Sequence, residues 1–279
     1  MHERITLERH GLEAVPRVAG LWNLLFDHHL SIGAARLPVI PGDRSWPLRE
    51  AHYRRLFADR PAASIRLAIA EGASAPLAYA MAYEDLLDSR RAVVLETLSV
   101  DPAARGLGIG TRLMEAVDLE AIDTGVSLGV VDVMGGNPRA RALYLRHGYR
   151  PHSESWMRSE AGDAPVDGRT ASRVGPDAER ADPRPLAERA RECGLDLGLS
   201  PGPDDTWLTA NSIVELSAAT LEEPGIDRLG ALLEMLSAAG FWTVRIEIAA
   251  APEARAARAA LRNLGFKLST ERLVRELSR

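Results

Sequence analysis

The sequence is poor in cysteine, in aromatic residues and in long apolar runs. Cys193 is the only cysteine, which excludes an intramolecular disulfide and a metal site built from several cysteines. We interpret it as a small buried residue rather than a nucleophile. No apolar run approaches the roughly 18 residues that span a bilayer, and the charged start MHERITLERHG is unlike a signal peptide. These absences predict a soluble, cytoplasmic protein that contacts no membrane.

The chain also lacks a block of positive charge. Its 34 basic and 39 acidic residues give a net charge of -5, spread along the 279 residues. Nucleic acid is therefore not expected as a main partner. Hydrophobic residues make up 46% and charged residues 26%, which is typical of a globular protein with a sizeable core.

Apolar periodicity predicts an α/β chain with the element order β-αα-βββ-α-β-α-β over residues 1 to 158. One helix has clear end signals, because Asn137 can cap it, Pro138 suits its first position and Gly148 follows its end. The stretch YRPHSESWMR is expected to close this half as a pair of strands. Residues 159–185 are rich in Pro, Gly and Asp and are predicted to be a linker.

The first half of the pattern returns after the linker. SIVELSAATLEEPGIDRLGALLEML aligns without gaps on VVLETLSVDPAARGLGIGTRLMEAV at an offset of 119 residues, and ARAALRNLGF aligns on ARALYLRHGY at an offset of 117. The sequence therefore predicts an internal repeat, with residues 186–279 forming a second, partial unit.

Three glycines and an arginine lie at the start of one predicted helix, in the stretch Arg105-Gly106-Leu107-Gly108-Ile109-Gly110. A helix start exposes unpaired backbone N–H groups and partial positive charge, and glycines let an anion come close to them. The stretch lacks the lysine of a Walker loop and the spacing of a dinucleotide fingerprint. It therefore predicts a pyrophosphate site of another type.

Two motifs together resemble those of the GCN5-related N-acetyltransferases (GNAT family). The first is LSVDPAARGLGIGTRLM, with Arg105, Gly108 and Gly110, and the second is NPRARALYLRHGY, with Asn137 and Tyr144. The resemblance covers residues 1 to 158 in full and implies the GNAT fold, a mixed and mostly antiparallel sheet flanked by helices. Residues 206–279 resemble only the later half of that fold.

The resemblance implies acetyl-CoA as the acetyl donor, with no metal. The backbone of Leu98, Ser99 and Val100 would pair with the pantetheine arm, and residues 105–110 would hold the pyrophosphate. Asn137 would contact the cofactor arm, and Tyr144 would lie beside the thioester sulfur.

The chemistry requires a proton acceptor for the amine, donors for the developing oxyanion and an acid for the leaving thiolate. We assign Tyr144 as the general acid and the backbone N–H of Leu98 as an oxyanion donor. The base is Glu96, which is expected on the same strand face as Val94 and Leu98, or Asp132 on the next strand. A water chain without a single base is a third alternative.

The acceptor site is expected in the first two helices and their connection. Phe26, Asp27, His28 and His29 form an unusual run there that could bind a cationic acceptor or relay its proton. Neighbouring helical residues point about 100° apart, so the two histidines are not expected to chelate one metal ion. The run is explained equally well as the C-terminal turn of a helix, where histidines interact favourably with the helix dipole.

The second unit lacks the residues that carry the resemblance. Asp227 aligns with Gly108, Leu229 with Gly110 and Leu261 with Tyr144. An aspartate at the phosphate position would repel the ligand. We therefore predict that this unit binds no acetyl-CoA and instead completes the sheet, shapes the acceptor cleft or mediates homodimerisation.

Three functions follow as alternatives. The first is acetylation of a small primary amine, the second is acetylation of a protein N-terminus or lysine, and the third is a non-catalytic module that binds acetyl-CoA. The Pro-rich stretch after the first helix favours a covered acceptor pocket and therefore the first of these.

Overall fold

The computed structural model describes residues 4–33, 42–159, 183–192, 195–200, 213–218, 223–239 and 243–278. Cys193 lies outside these residues, as does most of the predicted linker. Helix α5 begins at Pro183, inside the range predicted as linker. The helices are α1 (Ala19–Ile32), α2 (Gly42–Asp59), α3 (Ile109–Asp123), α4 (Pro138–Arg146), α5 (Pro183–Glu192), α6 (Glu223–Ala238) and α7 (Arg255–Asn263).

The strands form one mixed sheet in the order β1-β2-β3-β4-β5-β10-β6-β9-β8-β7. Their bounds are β1 (Ile5–His10), β2 (Ser64–Ala70), β3 (Ala78–Leu87), β4 (Arg90–Val100), β5 (Leu128–Met134), β6 (Arg150–Ser159), β7 (Asp196–Ser200), β8 (Ile213–Ala218), β9 (Thr243–Ala249) and β10 (Lys267–Glu276). Within the described residues only β4·β5 and β8·β9 are parallel, as expected for strands joined through a helix.

The two faces of the sheet carry different helices in the first half. Alternate side chains of β2 point to opposite faces, so Ile65 and Leu67 pack with Tyr53 of α2, whereas Ala68 packs with Leu113 of α3. Helices α1 and α2 therefore cover one face and α3 the other. The site described below draws residues from both faces, among them Glu96 beside α2 and Gly110 of α3.

The predicted strand pair at YRPHSESWMR is wrong. This stretch forms the single strand β6, and its neighbours β10 and β9 both come from the second half of the chain. A local pattern of apolar residues indicates a strand but cannot identify a partner that lies more than eighty residues away.

The two halves exchange their last strands. Trp156 of β6 packs in the core under α6 and α7, with Leu232 and Leu261. Leu273 of β10 packs in the core under α3, with Leu113. Each hydrophobic core is therefore completed by a strand from the other half.

Two ion pairs also join the two halves of the chain. Glu154 of β6 lies directly opposite Glu271 of β10, and both are buried. Arg258 of α7 donates to Glu154 from Nε at 2.9 Å, and Arg141 of α4 donates to Glu271 from Nη2 at 3.0 Å. Both the glutamates and the arginines are 117 residues apart (271 − 154 and 258 − 141). Two like charges side by side are thus neutralised, each by an arginine of the other half.

Candidate active site

The first feature of the site is an opening between two parallel strands. Pairing of β4 with β5 runs from Ala92, opposite Leu128, to Leu95, opposite Val131. Beyond that point residues 97–100 of β4 pair with β3, while residues 132–134 of β5 pair with β10. We call this separation the fork.

A β-bulge lies where the fork begins. Met81 of β3 is opposite Thr97, but the next residue, Ala82, is opposite Leu95, so Glu96 is the extra residue. The bulge changes the alternation of side chains along β4. Leu98 lies close to Gly110 of α3 on one face, whereas Glu96 contacts α2 on the other. The expectation that Glu96 shares its face with Leu98 was therefore wrong.

The glycine-rich stretch forms a turn over residues 105–108 that leads into α3, whose first residue is Ile109. Gly106 (φ +86°) and Gly108 (φ +73°) adopt left-handed conformations that favour glycine. A Cβ built on either would meet no described atom within 4 Å, so the space beside both is open. Leu107, between the two glycines, is exposed, and Ile109, between Gly108 and Gly110, is buried. The turn is thus a cradle that could take a ligand's anionic group.

The end of β4 is fixed to its neighbours on both sides. The Arg105 guanidinium donates from Nε to the Val100 carbonyl at 3.3 Å, which anchors this side chain at the strand end. Ser99 donates from Oγ to the Leu21 carbonyl of α1 at 3.0 Å. Both contacts hold the fork in place.

Helix α4 begins as predicted. The Asn137 side chain accepts from the Ala140 backbone N–H at 3.0 Å, and Pro138 occupies the first helical position. Asn137 follows Gly135 and Gly136, where a Cβ would come within 2.2 Å of the Leu268 carbonyl and 2.1 Å of the Ile32 carbonyl. Only glycines fit between α1 and β10 here, and this turn directs Asn137 to the fork.

Tyr144 of α4 is 7% exposed and lines the cavity at the fork. Its ring meets that of Tyr149 edge-on, with 5.8 Å between centroids. Burial raises the pKa of the Tyr144 phenol above its ordinary value, so the phenol keeps its proton at neutral pH.

Glu96 is held by two residues of α2. Its Oε1 accepts from Arg49 Nη1 at 2.7 Å and contacts His52 Nε2 at 3.0 Å. Arg49 also stacks on the Trp22 ring at 3.9 Å. Burial alone would raise the pKa of Glu96, but the hydrogen bond from His52 and the charge of Arg49 lower it to about 2. This carboxylate is ionised at neutral pH.

Asp132, the alternative base, lies in a two-point ion pair. Arg272 of β10 donates from Nε to Oδ1 at 2.9 Å and from Nη2 to Oδ2 at 2.8 Å. Both carboxylate oxygens therefore have a partner. Asp132 lines the same cavity as Glu96.

The four candidate residues of α1 are not brought to one place. Phe26 is buried between helices with Trp22 and lies outside the cavity lining, and Asp27 is exposed. His28 lies close enough to Arg105 to feel its charge, although burial is the larger cause of its lowered pKa. His29 lines the cavity, and burial, with His28 and Arg49 nearby, lowers its pKa to about 4.

The cavity has a volume of about 830 Å³ and joins these features. Glu96, Leu98, Asp132, Asn137, Tyr144 and His29 all contribute to its lining. Its remaining wall comes from β6, β9 and β10, including Ser155, Glu247 and Arg272, which sequence reasoning missed. Arg49 and His52 were also missed, since only the packing of α2 on the bulge gives them a role.

The corresponding part of the second half has no fork in the described residues. Strands β8 and β9 stay paired from Val214 to Ala218. Helix α6 begins at Glu223 and includes residues 224–229, which align with the glycine-rich turn. Leu229 and Leu261, aligned with Gly110 and Tyr144, are fully buried in the core.

Comparison with known proteins gives a family for part of the chain and supports its fold. Residues 35–149 match the Acetyltransferase (GNAT) family, so this part of the chain is a GNAT-family acetyltransferase domain. None of the curated protein sequences matches the chain.

Two solved structures are similar over nearly the whole chain. One is a GCN5-related N-acetyltransferase from Sphaerobacter thermophilus (16% identity, 99% of this chain and 96% of that chain, TM-score 0.53). The other is a GCN5-related glucosamine N-acetyltransferase region in a fungal multi-domain GH3 β-N-acetylglucosaminidase (12% identity, 98% of this chain, 38% of that chain, TM-score 0.54). At these identities the similarity concerns the fold, and the predicted GNAT fold is confirmed.

Over the described residues, no helix is both long and apolar enough to cross a membrane.

Proposed function

We propose that the protein transfers the acetyl group of acetyl-CoA to a primary amine of a small molecule. The observation that carries this proposal is the fork, which opens toward the cradle formed by Gly106 and Gly108. A strand edge beside a helix N-terminus can bind an extended arm and a diphosphate at once.

The chain's residues fit acetyl-CoA, which would supply the acetyl group as a thioester. The turn from Arg105 to Gly110 binds the diphosphate through backbone N–H groups and the positive end of α3. The edge from Leu98 to Val100 binds the arm by backbone hydrogen bonds. Asn137 uses its side-chain oxygen to cap α4, so its amide NH₂ is the group that donates to the arm.

Tyr144 is our candidate for the general acid. Its buried phenol holds a proton at neutral pH and lies in the cavity lining near the fork. It can give that proton from Oη to the departing thiolate. The Leu98 N–H is the candidate oxyanion donor.

Glu96 is our candidate for the group that binds the acceptor ammonium and takes its proton. Both described contacts of its carboxylate fall on Oε1, so Oε2 is the oxygen assigned to the amine. A carboxylate with a pKa of about 2 is a weak base, so the proton must move on. His52 Nε2, 3.0 Å from Oε1, can accept it when the neutral ring carries its proton on Nδ1, and the partly exposed ring then releases the Nδ1 proton to water. Asp132 is the less suitable base because Arg272 occupies both its oxygens.

We also propose that the chain is a tandem of two GNAT-like units, residues 1–158 and 186–279, joined by residues 159–185. The buried Leu229 and Leu261 and the paired β8 and β9 support the view that the second unit binds no acetyl-CoA. Its role would be to complete the sheet and the acceptor cavity.

Calorimetry with acetyl-CoA and thiol release with a panel of amines test the proposal. We expect Tyr144→Phe to lower kcat about 100-fold and Glu96→Gln by a similar factor, with less than about tenfold for Asp132→Asn. Tyr149→Phe is the matched control, since that ring is buried beside Tyr144 but does not line the cavity. Absence of acetyl-CoA binding at millimolar ligand would refute the transferase, and binding without thiol release would favour a non-catalytic module.

A further inference from the structure

The cavity continues from the fork onto strands of the second half. Across the sheet, Asp132 is opposite Arg272, and Arg272 is opposite Ser153 of β6. In the next row Thr270 is opposite Ser155, which is opposite Glu247 of β9. We call the described lining residues of β6, β9 and β10 the distal wall. Since neighbouring strands are about 4.8 Å apart, the cavity extends about 19 Å across the sheet from β4 to β9, and the distal wall takes up about the last 10 Å.

The distal wall is polar and offers both donors and acceptors. Ser153, Ser155 and Thr270 carry hydroxyl groups, and Ser153 donates from Oγ to Glu247 Oε1 at 2.7 Å. Arg245 and Lys267 contribute donors to the same lining. A hydroxyl group can donate to a carboxylate and accept from a cation, so hydroxyls match this mixture best.

Other kinds of acceptor fit the wall less well. An alkyl chain would desolvate its polar groups without replacing their hydrogen bonds, at about 1–3 kcal/mol for each group left unsatisfied. A second ammonium would face the charges of Arg245, Lys267 and Arg272. A carboxylate would face Glu247, and it would find Arg272 already bound to both oxygens of Asp132. Neutral hydroxyl groups avoid all three penalties.

We propose that the acceptor is a primary amine whose distal part carries several hydroxyl groups, and that the distal wall is the subsite that binds them. This inference rests on the proposed acetyl transfer. It gives the second half a direct part in choosing the substrate.

Four amines with the same six-carbon chain test the proposal: 1-amino-1-deoxyglucitol, hexylamine, 1,6-diaminohexane and 6-aminohexanoate. Each is supplied with acetyl-CoA and the full chain, and thiol release is measured. We expect kcat/KM to be at least about tenfold higher for the amino polyol than for the other three, as one or two additional hydrogen bonds would give.

Variants of the wall then identify the subsite. Glu247→Gln with Ser155→Ala should reduce the ratio of kcat/KM for the amino polyol to that for hexylamine about tenfold. Glu253→Gln, at an exposed position of the same half, should leave the ratio unchanged. Should the double variant fail to fold, Thr270→Val removes one hydroxyl of the wall with little change in shape and should lower the same ratio.

The outcomes separate the two proposals. If hexylamine, the diamine or the aminohexanoate reacts as fast as the amino polyol, the subsite is refuted while the transferase stands. The same holds if the ratio is unchanged in a folded wall variant. If acetyl-CoA binds but no amine releases thiol, the transfer and the subsite fail together.

Discussion

The parallel pairs β4·β5 and β8·β9 begin alike and end differently. In the first pair, hydrogen bonding stops at Leu95 and Val131, and the separated ends border a cavity. In the second pair, the strands stay joined to Ala218 of β8, and leucines fill the core beside them. The same succession of strand, helix, strand and helix can therefore be open or closed.

Side-chain size at a few positions accounts for this difference. Gly108 leaves open space at the start of α3 and Gly110 lies close to Leu98 and Val100 of β4, whereas the aligned residues in the second half of the sequence are Asp227 and Leu229. Leu229 is fully buried, and Leu261 takes the position aligned with Tyr144. A fork costs backbone hydrogen bonds and buried area, so it persists only where small residues and a bulge hold it open.

The largest expected effect comes from removing the second half of the chain. A chain ending at Ser159 lacks β10, which separates β5 from β6 and contributes Leu273 to the first core. We expect it to show no cooperative unfolding transition in urea and no binding of acetyl-CoA. A folded fragment that binds the ligand would show that the first half needs no strand from the second.

The next test places a negative charge in the cradle. Gly108→Asp introduces the residue found at the aligned position, and its carboxylate would repel a diphosphate by about 3 kcal/mol at 5 Å and an effective dielectric constant of 20. We expect affinity for acetyl-CoA, measured by calorimetry, to fall about 100-fold. Gly108→Asn is the neutral control, since asparagine also tolerates this left-handed conformation, and should cost less than about tenfold. Equal losses would show that shape, not charge, matters here.

The paired arginines test whether the halves depend equally on the exchanged strands. Arg141→Met and Arg258→Met each leave one of the buried, facing glutamates Glu154 and Glu271 without its arginine. We expect each to lower the free energy of unfolding in urea by about 2–3 kcal/mol. Arg90→Met, which breaks an exposed pair, should have little effect. A large effect of only one buried arginine would contradict equivalence.

The smallest expected effect is a pH dependence of the protein's stability that arises from His29 of α1. His29 has a pKa of about 4 in the fold, below the ordinary 6.5, because it is buried. The unfolded chain therefore binds a proton first as pH falls, and stability is lost between pH 6.5 and 4, by about 2 kcal/mol at pH 5. His29→Gln should flatten this part of the stability curve. An unchanged curve would mean that His29 is not the group responsible.

Much of the first half was predictable because its signals are local. The cap at Asn137, the glycines of the turn and the apolar periods follow from residues within one turn or strand. Glu96 was predicted as a candidate base, but the face it occupies was predicted wrongly, because the bulge that turns it toward α2 depends on pairing with β3. Arg49 and His52 carry no signal of their own.

The sequence by itself determined most helices and strands of the first half, the glycine turn before α3, and which positions of the second half lack those glycines. These follow from side-chain size, charge and period, which act over a few residues. The tertiary structure alone decided the exchange of β6 and β10, the pairing of Glu96 with α2 and the distal wall of the cavity. Each of these joins strands or helices distant in sequence, and hydrogen bonds between strands are compatible with many partners until packing selects one.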